Sequence, residues 1–221
     1  MIVTIDGPAG AGKSTIARAL AQRLGFRFLD TGAMYRAVAL AALERGHDWS
    51  QGEQLVALAA SLKLEVTEQS VTVDGRDVTQ AIRTPRVTDH THFAANNPGV
   101  RELLVDLQRR SAGDDDIVTE GRDQGTVVFP HASCKIYLTA SPEERARRRA
   151  MELAQRGQPT EVADVLQKQN ERDQRDARRA VGPMVPADDA MEMVTDGLTP
   201  HEVLDRLEAL VRERARQVPG R

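Results

Sequence analysis

Apolar residues along this chain fall into short runs separated by stretches in which they recur every three or four positions. Ile2, Val3 and Ile5 read as a buried strand, and Ile16, Leu20 and Leu24 then repeat at helical spacing up to Gly25. Phe26 to Leu29 read as a second strand, followed by Asp30-Thr31-Gly32 and a helix marked by Tyr35, Val38 and Ala42 that breaks at Gly46. Ser50-Gln51-Gly52-Glu53 has a capping-box pattern ahead of Leu55, Leu58, Ala59 and Leu62. The period then changes to two. Leu62, Leu64 and Val66 alternate with polar residues, as do Val71 and Val73, and Asp74-Gly75 is a hairpin turn signal. A small antiparallel excursion is therefore expected over residues 63–82.

Thr84-Pro85 and Asn97-Pro98 each combine a cap with a first-turn proline, and the second opens a helix with Val100, Leu103, Leu104 and Leu107 on one face. After a solvated turn at Asp114 to Asp116, three more strands are expected: one beginning at Ile117-Val118-Thr119, then Cys134 to Leu138, then Met191 to Thr195. Ser141-Pro142-Glu143-Glu144 caps one further helix. Thr199-Pro200-His201-Glu202 caps the last, which carries Val203, Leu207, Leu210 and Val211. The tail after Arg212 is charged and expected to fray. Strands separated by helices imply an α/β fold with a mostly parallel sheet covered on both faces.

Composition narrows the classes of function. The 221 residues suffice for one domain with an insert, and the net charge of −3 offers no overall basic field for nucleic acid. Seven aromatic residues are too few for an extensive base-stacking surface. No apolar run is long enough to span a membrane. The lone cysteine, Cys134, sits in an apparent strand and reads as a buried inert thiol. With no export signal and no paired cysteines, the expected location is the cytoplasm.

The chemistry begins at "GPAGAGKST", residues 7–15, where G-x-x-x-x-G-K-S follows a strand and opens a helix. Glycines and small side chains at Gly7, Pro8, Ala9, Gly10, Ala11 and Gly12 let backbone N–H groups curl around anionic oxygens. Lys13 can reach the outer phosphates of a nucleotide, and Ser14, next to Thr15, can place a hydroxyl on Mg²⁺. In a parallel sheet ligands bind beyond the carboxyl ends of the strands. Those ends carry Asp30-Thr31-Gly32 with Tyr35 and Arg36, then Glu120-Gly121-Arg122-Asp123, then Ser141 with Arg145, Arg147, Arg148 and Arg149. Arg172, Arg175, Asp176, Arg178 and Arg179 follow. Guanidinium forks can follow the charge that spreads over phosphoryl oxygens during transfer. Arg147 and Arg178 read as members of solvated helix faces, whereas Arg145 and Arg149 are spaced to share one functional face. There is no guanine-reading Asn-Lys-x-Asp segment, and no His/Ser or Cys/His pairing suggests covalent catalysis.

With these residues in hand the chain resembles the bacterial cytidylate kinases from end to end. The resemblance rests on "TIDGPAGAGKST" (4–15), "LDTGAMYR" (29–36), "IRTP" (82–85), "GRDQGTVVFP" (121–130), "SPEERARRR" (141–149) and "ERDQRDARRAVGPMVPA" (171–187). It implies ATP- and Mg²⁺-dependent transfer of the γ-phosphoryl group to CMP or dCMP. It also implies a P-loop kinase fold: a five-stranded parallel sheet ordered 2-3-1-4-5, a helical lid, and an enlarged monophosphate-binding region into which the antiparallel excursion fits. The expected organisation is one kinase domain, with its core at 1–62, 101–149 and 183–221, a monophosphate-binding insert at 63–100 and a lid at 150–182. The lid would close near Gly157-Gln158-Pro159.

The resemblance also implies roles. Gly7 to Thr15, Arg145 and Arg149 would hold ATP, with Ser14 on the metal. Thr31, Tyr35 and Arg36 would hold the phosphate and ribose side of CMP, and Arg101 and Asp123 would read cytosine. Arg122, Arg172 and Arg179 would meet phosphate or the transition state, and Asp176 the sugar. Glu120 stands where members often carry Asp. An ungapped alignment from Arg83 to Arg101 puts His92 where relatives carry a cytosine-contacting Ser, and His92 reads equally as a base contact or as a helix-surface residue. The expected partners are ATP and CMP or dCMP, with no nucleic acid or membrane, and a monomer. The main competing readings are a kinase for UMP or AMP, and a P-loop nucleotide sensor or nucleic-acid-binding ATPase.

Overall fold

The computed structural model describes residues 1–155 and 157–217. The chain opens with β1 (Ile2–Asp6), α1 (Lys13–Leu24), β2 (Arg27–Asp30), α2 (Thr31–Glu44) and α3 (Gly52–Ser61). Three short strands follow, β3 (Leu64–Val66), β4 (Val71–Val73) and β5 (Arg76–Asp77), then a 3₁₀ turn at Ala81–Arg83. Next come α4 (Pro85–Asn96), α5 (Pro98–Ala112), β6 (Ile117–Gly121), a π-helical turn at Gln124–Val128 and β7 (Cys134–Thr139). The chain continues through α6 (Pro142–Gln155), α7 (Val162–Ala177), β8 (Met191–Val194) and α8 (Pro200–Gln217). The end of the charged tail and Arg156, in the stretch expected to form the lid, lie outside the described residues.

The main sheet runs β2-β6-β1-β7-β8. Counting only its own strands in chain order, this is the predicted 2-3-1-4-5. Parallel pairing on both sides of β1 aligns Val3 with Val118 and with Cys134, which is why its apolar run is continuous rather than alternating. Ile5, Leu20, Ile136, Leu138 and Leu207 are fully buried in one core, where α1 and α8 contribute Ile16, Leu20, Val203 and Val211. The same register sets the site, since Asp6 pairs with Gly121. The loops leaving β1 and β6 therefore emerge side by side.

Contacts divide the chain into two compact units: Met1–Phe28 together with the chain from Asp115 onward, and Leu29–Asp114. In the second unit Ala33, Ala37 and Leu40 of α2 pack with Val71, Val73, Val78, Ile82 and Val87. The residues 63–82 form the expected antiparallel element, a three-stranded sheet ordered β3-β4-β5. Its second turn has positive φ at both Asp74 (52°) and Gly75 (80°), the form that matches strand twist.

The caps mostly follow the sequence. Thr84 accepts from Val87 N–H, Asn97 accepts from Gly99 and Val100 N–H, and Thr199 and Glu202 bond each other's backbone reciprocally. One expectation fails. Ser50 does not cap α3, because both its hydroxyl and its N–H go to the Asp48 carboxylate, and Gln51 precedes the helix with no side-chain cap. A local Asx-type turn outcompetes the capping box. The buried face of α5 also differs from the leucine pattern. It runs through Val100, Arg101, Leu104, Val105, Gln108 and Ala112, so it includes a charge.

Candidate active site

The loop after β1 is held by a close approach that only glycine allows. A Cβ on Gly7, at φ 144°, would lie 2.1 Å from the Leu138 carbonyl oxygen. Gly12 ends the loop in the left-handed region, and Lys13 begins α1. The Lys13 ammonium turns back to donate to the Pro8 carbonyl at 2.7 Å. Gly10, Gly12, Ser14 and Thr15 face outward, while Gly7, Pro8 and Ala9 are buried.

The loop is braced from the helices that follow β7. Asp173 on α7 accepts from Ala9 N–H at 3.0 Å, and Arg145 on α6 donates to Ala9 O at 2.7 Å and to Asp173 at 2.5 Å. Arg145 is buried, and its Nε also donates to Ala140 O. Arg149 lies elsewhere: it pairs with Glu152 on a half-exposed part of α6. Arg147 pairs with Glu144 and is well exposed, and Arg178 is exposed, as expected of solvated faces.

The end of β6 supplies the facing groups. Glu120 is buried and accepts from the Ser14 hydroxyl at 2.8 Å. Asp6 is buried at the foot of the loop and clamps the following turn, accepting from Gln124 N–H at 2.9 Å and Gly125 N–H at 2.7 Å. Asp123 is buried beside it. Asp176 on α7 gathers three arginines: Arg122 through Nε at 2.8 Å, Arg172 at 4.0 Å, and Arg179. Three of the arginines predicted for phosphate contact thus converge on the one predicted sugar-binding carboxylate.

This crowding sets the ionisation. Burial pushes Lys13 down to about 7, helped by the Arg122 and Arg172 charges and opposed by Glu120 and Asp6. Burial pushes Asp6 up to about 6, against the pull of the two backbone bonds. Burial would raise Asp176 as well, but Arg122, Arg179 and Arg172 hold it below the usual carboxylate range. The nucleotide-free site therefore carries Lys13 partly neutral at and above pH 7. An incoming polyphosphate favours the charged ammonium, so binding must draw a proton from solvent. At pH 8, where ATP itself is fully ionised, uptake of about one proton per ATP is expected if Lys13 returns toward its ordinary value. Calorimetric titration in buffers of different ionisation enthalpy measures this number. Uptake that persists in Lys13→Met would assign it to another group.

The unit Leu29–Asp114 carries the other predicted residues. Thr31 and Tyr35 are buried in α2, and Arg36 is half-buried with a bond to Asp30 at 3.2 Å. Arg101 is 2% exposed, lies 5.8 Å from the Tyr35 ring centroid and donates to Ala95 O. His92 is half-buried on α4, its ring 4.1 Å from that of Phe93 and its Nδ1–H donating to Asp89 O.

Sequence reasoning missed Asp6, Asp173, Asp30 and Arg83 as members of these clusters. All four lie inside the quoted motifs, but nothing in their spacing says which partners they meet.

A phosphate loop at the end of a central parallel strand, in a sheet of this order, makes the protein a P-loop kinase by fold. A shikimate kinase from Bacteroides thetaiotaomicron superposes with TM-score 0.50 at 13% identity, over 96% of this chain and 98% of that one. The chain belongs to the cytidylate kinase family, whose model matches residues 3–213. It is 52% identical to a cytidylate kinase of Rhodopirellula baltica over 96% of this chain and 93% of the relative. It is 46% identical to one of Geobacter sulfurreducens over 100% and 96%. No helix among the described residues is long and apolar enough to cross a membrane.

Proposed function

We propose that the protein transfers the γ-phosphoryl group of ATP to CMP or dCMP, giving ADP and CDP or dCDP. The observation that carries this reading is membership of the cytidylate kinase family across residues 3–213. The acceptor is a phosphate monoester whose second pKa is about 6, so near neutral pH its oxygen is already a nucleophile and no base is required. That oxygen forms the new bond to the γ-phosphorus as the bond to the β,γ-bridging oxygen breaks, and ADP leaves with the electron pair.

What opposes the reaction is repulsion between two anions. Lys13, Arg122, Arg172 and Arg179 are assigned to neutralising it and holding the oxygens in line. The P-loop backbone, braced by Arg145, is assigned to the ATP phosphates, and Arg149, paired with Glu152 along α6, is assigned to ATP only through the family pattern. Thr31, Tyr35, Arg36 and Asp176 are assigned to the phosphate and sugar of the acceptor, and Arg101 and Asp123 to cytosine. The Ser14 hydroxyl and Glu120 carboxylate, 2.8 Å apart, form an oxygen-only pair that suits Mg²⁺. Bound there with ATP, Mg²⁺ supplies charge neutralisation at the phosphates. Lid closure over residues 150–182 is assigned to excluding water, which otherwise competes as acceptor.

A coupled assay with a panel of nucleoside monophosphates tests the reading. CMP and dCMP are expected to turn over with higher kcat/KM than UMP, AMP or GMP. Preference for UMP or AMP would replace the substrate, and ATP hydrolysis without transfer to any acceptor would replace the activity.

A further inference from the structure

The turn after β6 is fastened to β1 by one carboxylate. Asp6, buried at the end of β1, offers both oxygens to backbone donors of that turn: Oδ1 accepts from Gln124 N–H at 2.9 Å and Oδ2 from Gly125 N–H at 2.7 Å. Residue 125 has to be small for this, since a Cβ there would lie 3.0 Å from Thr4 Oγ1 and 3.4 Å from Asp6 Oδ2. The Gln124 side chain is pinned as well. It is buried over Gly121, where a Cβ would lie 2.8 Å from its Cγ, and it accepts from the Thr119 hydroxyl at 3.0 Å.

These contacts leave two residues spanning between fixed points. Gly121 is held opposite Asp6 by the parallel pairing of β1 with β6, and Gln124 is held by the Asp6 carboxylate. Arg122 and Asp123 form the arch between them, so both feet of the arch rest on the same residue of β1. The Asp123 carbonyl is tied down in turn, accepting from Val127 N–H at 2.9 Å and from Val128 N–H at 3.2 Å, the second an i→i+5 bond of the π-helical turn. Such turns are rare and recur at functional sites. A carboxylate is a costly choice for this clamp. Burial disfavours its charge against the pull of the two N–H bonds, and the neighbouring Asp123 charge adds to the cost. What the charge supplies is two strong acceptor oxygens at a fixed separation, which a hydroxyl or an amide cannot match. The gain is positional, because the backbone on either side of Asp123 can no longer turn.

We propose that Asp6 is a positioning residue for base selection: it fixes the arch that presents the Asp123 carboxylate, and so sets how sharply the enzyme separates cytosine from uracil. The inference rests on the function proposed above and on its assignment of Asp123 to cytosine. Asp6 acts through the turn and needs no contact with the base.

The test is the CMP-to-UMP ratio of kcat/KM in wild type, Asp6→Asn, Asp123→Ala and the double variant, with thermal melts to show folding. The ratio is the informative readout because damage to the fold or to the ATP loop lowers both activities alike. Asparagine keeps the length of Asp6 but turns an amide NH₂ toward one of the two N–H groups, which releases the turn on that side. Misplacing a reacting or binding group by an ångström costs on the order of 10²-fold, and this partial release is expected to narrow the ratio by about 10-fold. In the Asp123→Ala background the same change is expected to leave the ratio where Asp123→Ala alone puts it, since the group being positioned is gone. Gly125→Ala crowds the clamp from the other side and keeps the charge. It is expected to narrow the ratio in the same direction, and it carries the test if Asp6→Asn does not fold. A ratio unchanged in Asp6→Asn, or in Gly125→Ala where that carries the test, overturns the inference and leaves the CMP kinase reading standing. So does a narrowing as large without Asp123 as with it, because Asp6 then acts on something else. Wild type that shows no preference for CMP overturns the substrate reading, and the inference with it.

Discussion

Alanine at Lys13 is expected to slow phosphoryl transfer by about 10²–10³ while leaving the fold intact, the usual cost of removing one preorganised electrostatic partner of a transition state. Lys13 is 5% exposed at the first position of α1, among Glu120, Asp6, Arg122 and Arg172. It is the one lysine of the loop, so no neighbouring ammonium replaces it. The fold is expected to survive because a buried ammonium is itself costly. Its pKa of about 7 means that the folded, nucleotide-free state disfavours the charged form. The folded value lies below the unfolded one, so Lys13 weakens the nucleotide-free protein below pH 7, and this cost is relieved as pH rises toward the ordinary lysine range. Lys13→Ala should therefore melt no lower than wild type at pH 6 without ATP. Single-turnover kinetics and thermal melts measure both effects. Turnover within twofold of wild type would remove Lys13 from the mechanism.

Base choice should fall sharply when the proposed cytosine readers are removed. Cytosine offers an amino donor beside a ring acceptor, and uracil reverses both. On the proposed assignment, the Asp123 carboxylate would accept from the amino group of cytosine and would face a carbonyl in uracil. On the same assignment, the Arg101 guanidinium would donate to the ring nitrogen of cytosine and would face an N–H in uracil. Each buried mismatch costs about 1–3 kcal/mol, so two together give roughly 10²–10⁴ in discrimination. Asp123→Ala and Arg101→Met are therefore expected to narrow the CMP-to-UMP ratio of kcat/KM, chiefly by losing CMP. Burial supports the choice, since Asp123 is 4% and Arg101 2% exposed, and buried charges seldom lack a specific task. Methionine fills much of the space that Arg101 occupies beside Tyr35, and melting curves show whether packing survives. Equal loss of CMP and UMP activity in both folded variants would mean that the pair does not read the base.

Much of this protein is legible along the chain. The run Ile2-Val3-x-Ile5, the P-loop and the spaced Ile16, Leu20 and Leu24 describe strand, loop and helix within a few residues of where they fold, because period and turn chemistry are local. Asn97-Pro98 and Thr199-x-x-Glu202 are read correctly for the same reason. Ser50 is misread because two local hydrogen-bonding patterns compete over four residues, and Asp48 supplies the better acceptor. The residue types for phosphate chemistry are visible as well, but their partners are not. Nothing local shows that Asp176 gathers Arg122, Arg172 and Arg179, that Arg145 leaves its helix neighbours for Ala9 and Asp173, or that Arg149 stays with Glu152. Arg83 and Asp30 meet across 53 positions of sequence. Hydrophobic period is a property of neighbours, so the chain declares its strands, helices and phosphate loop in advance. Charge pairing and pKa depend on which groups burial brings within a few ångströms, so the ionisation of Lys13 and Asp6 and the choice among the arginines arise only on folding.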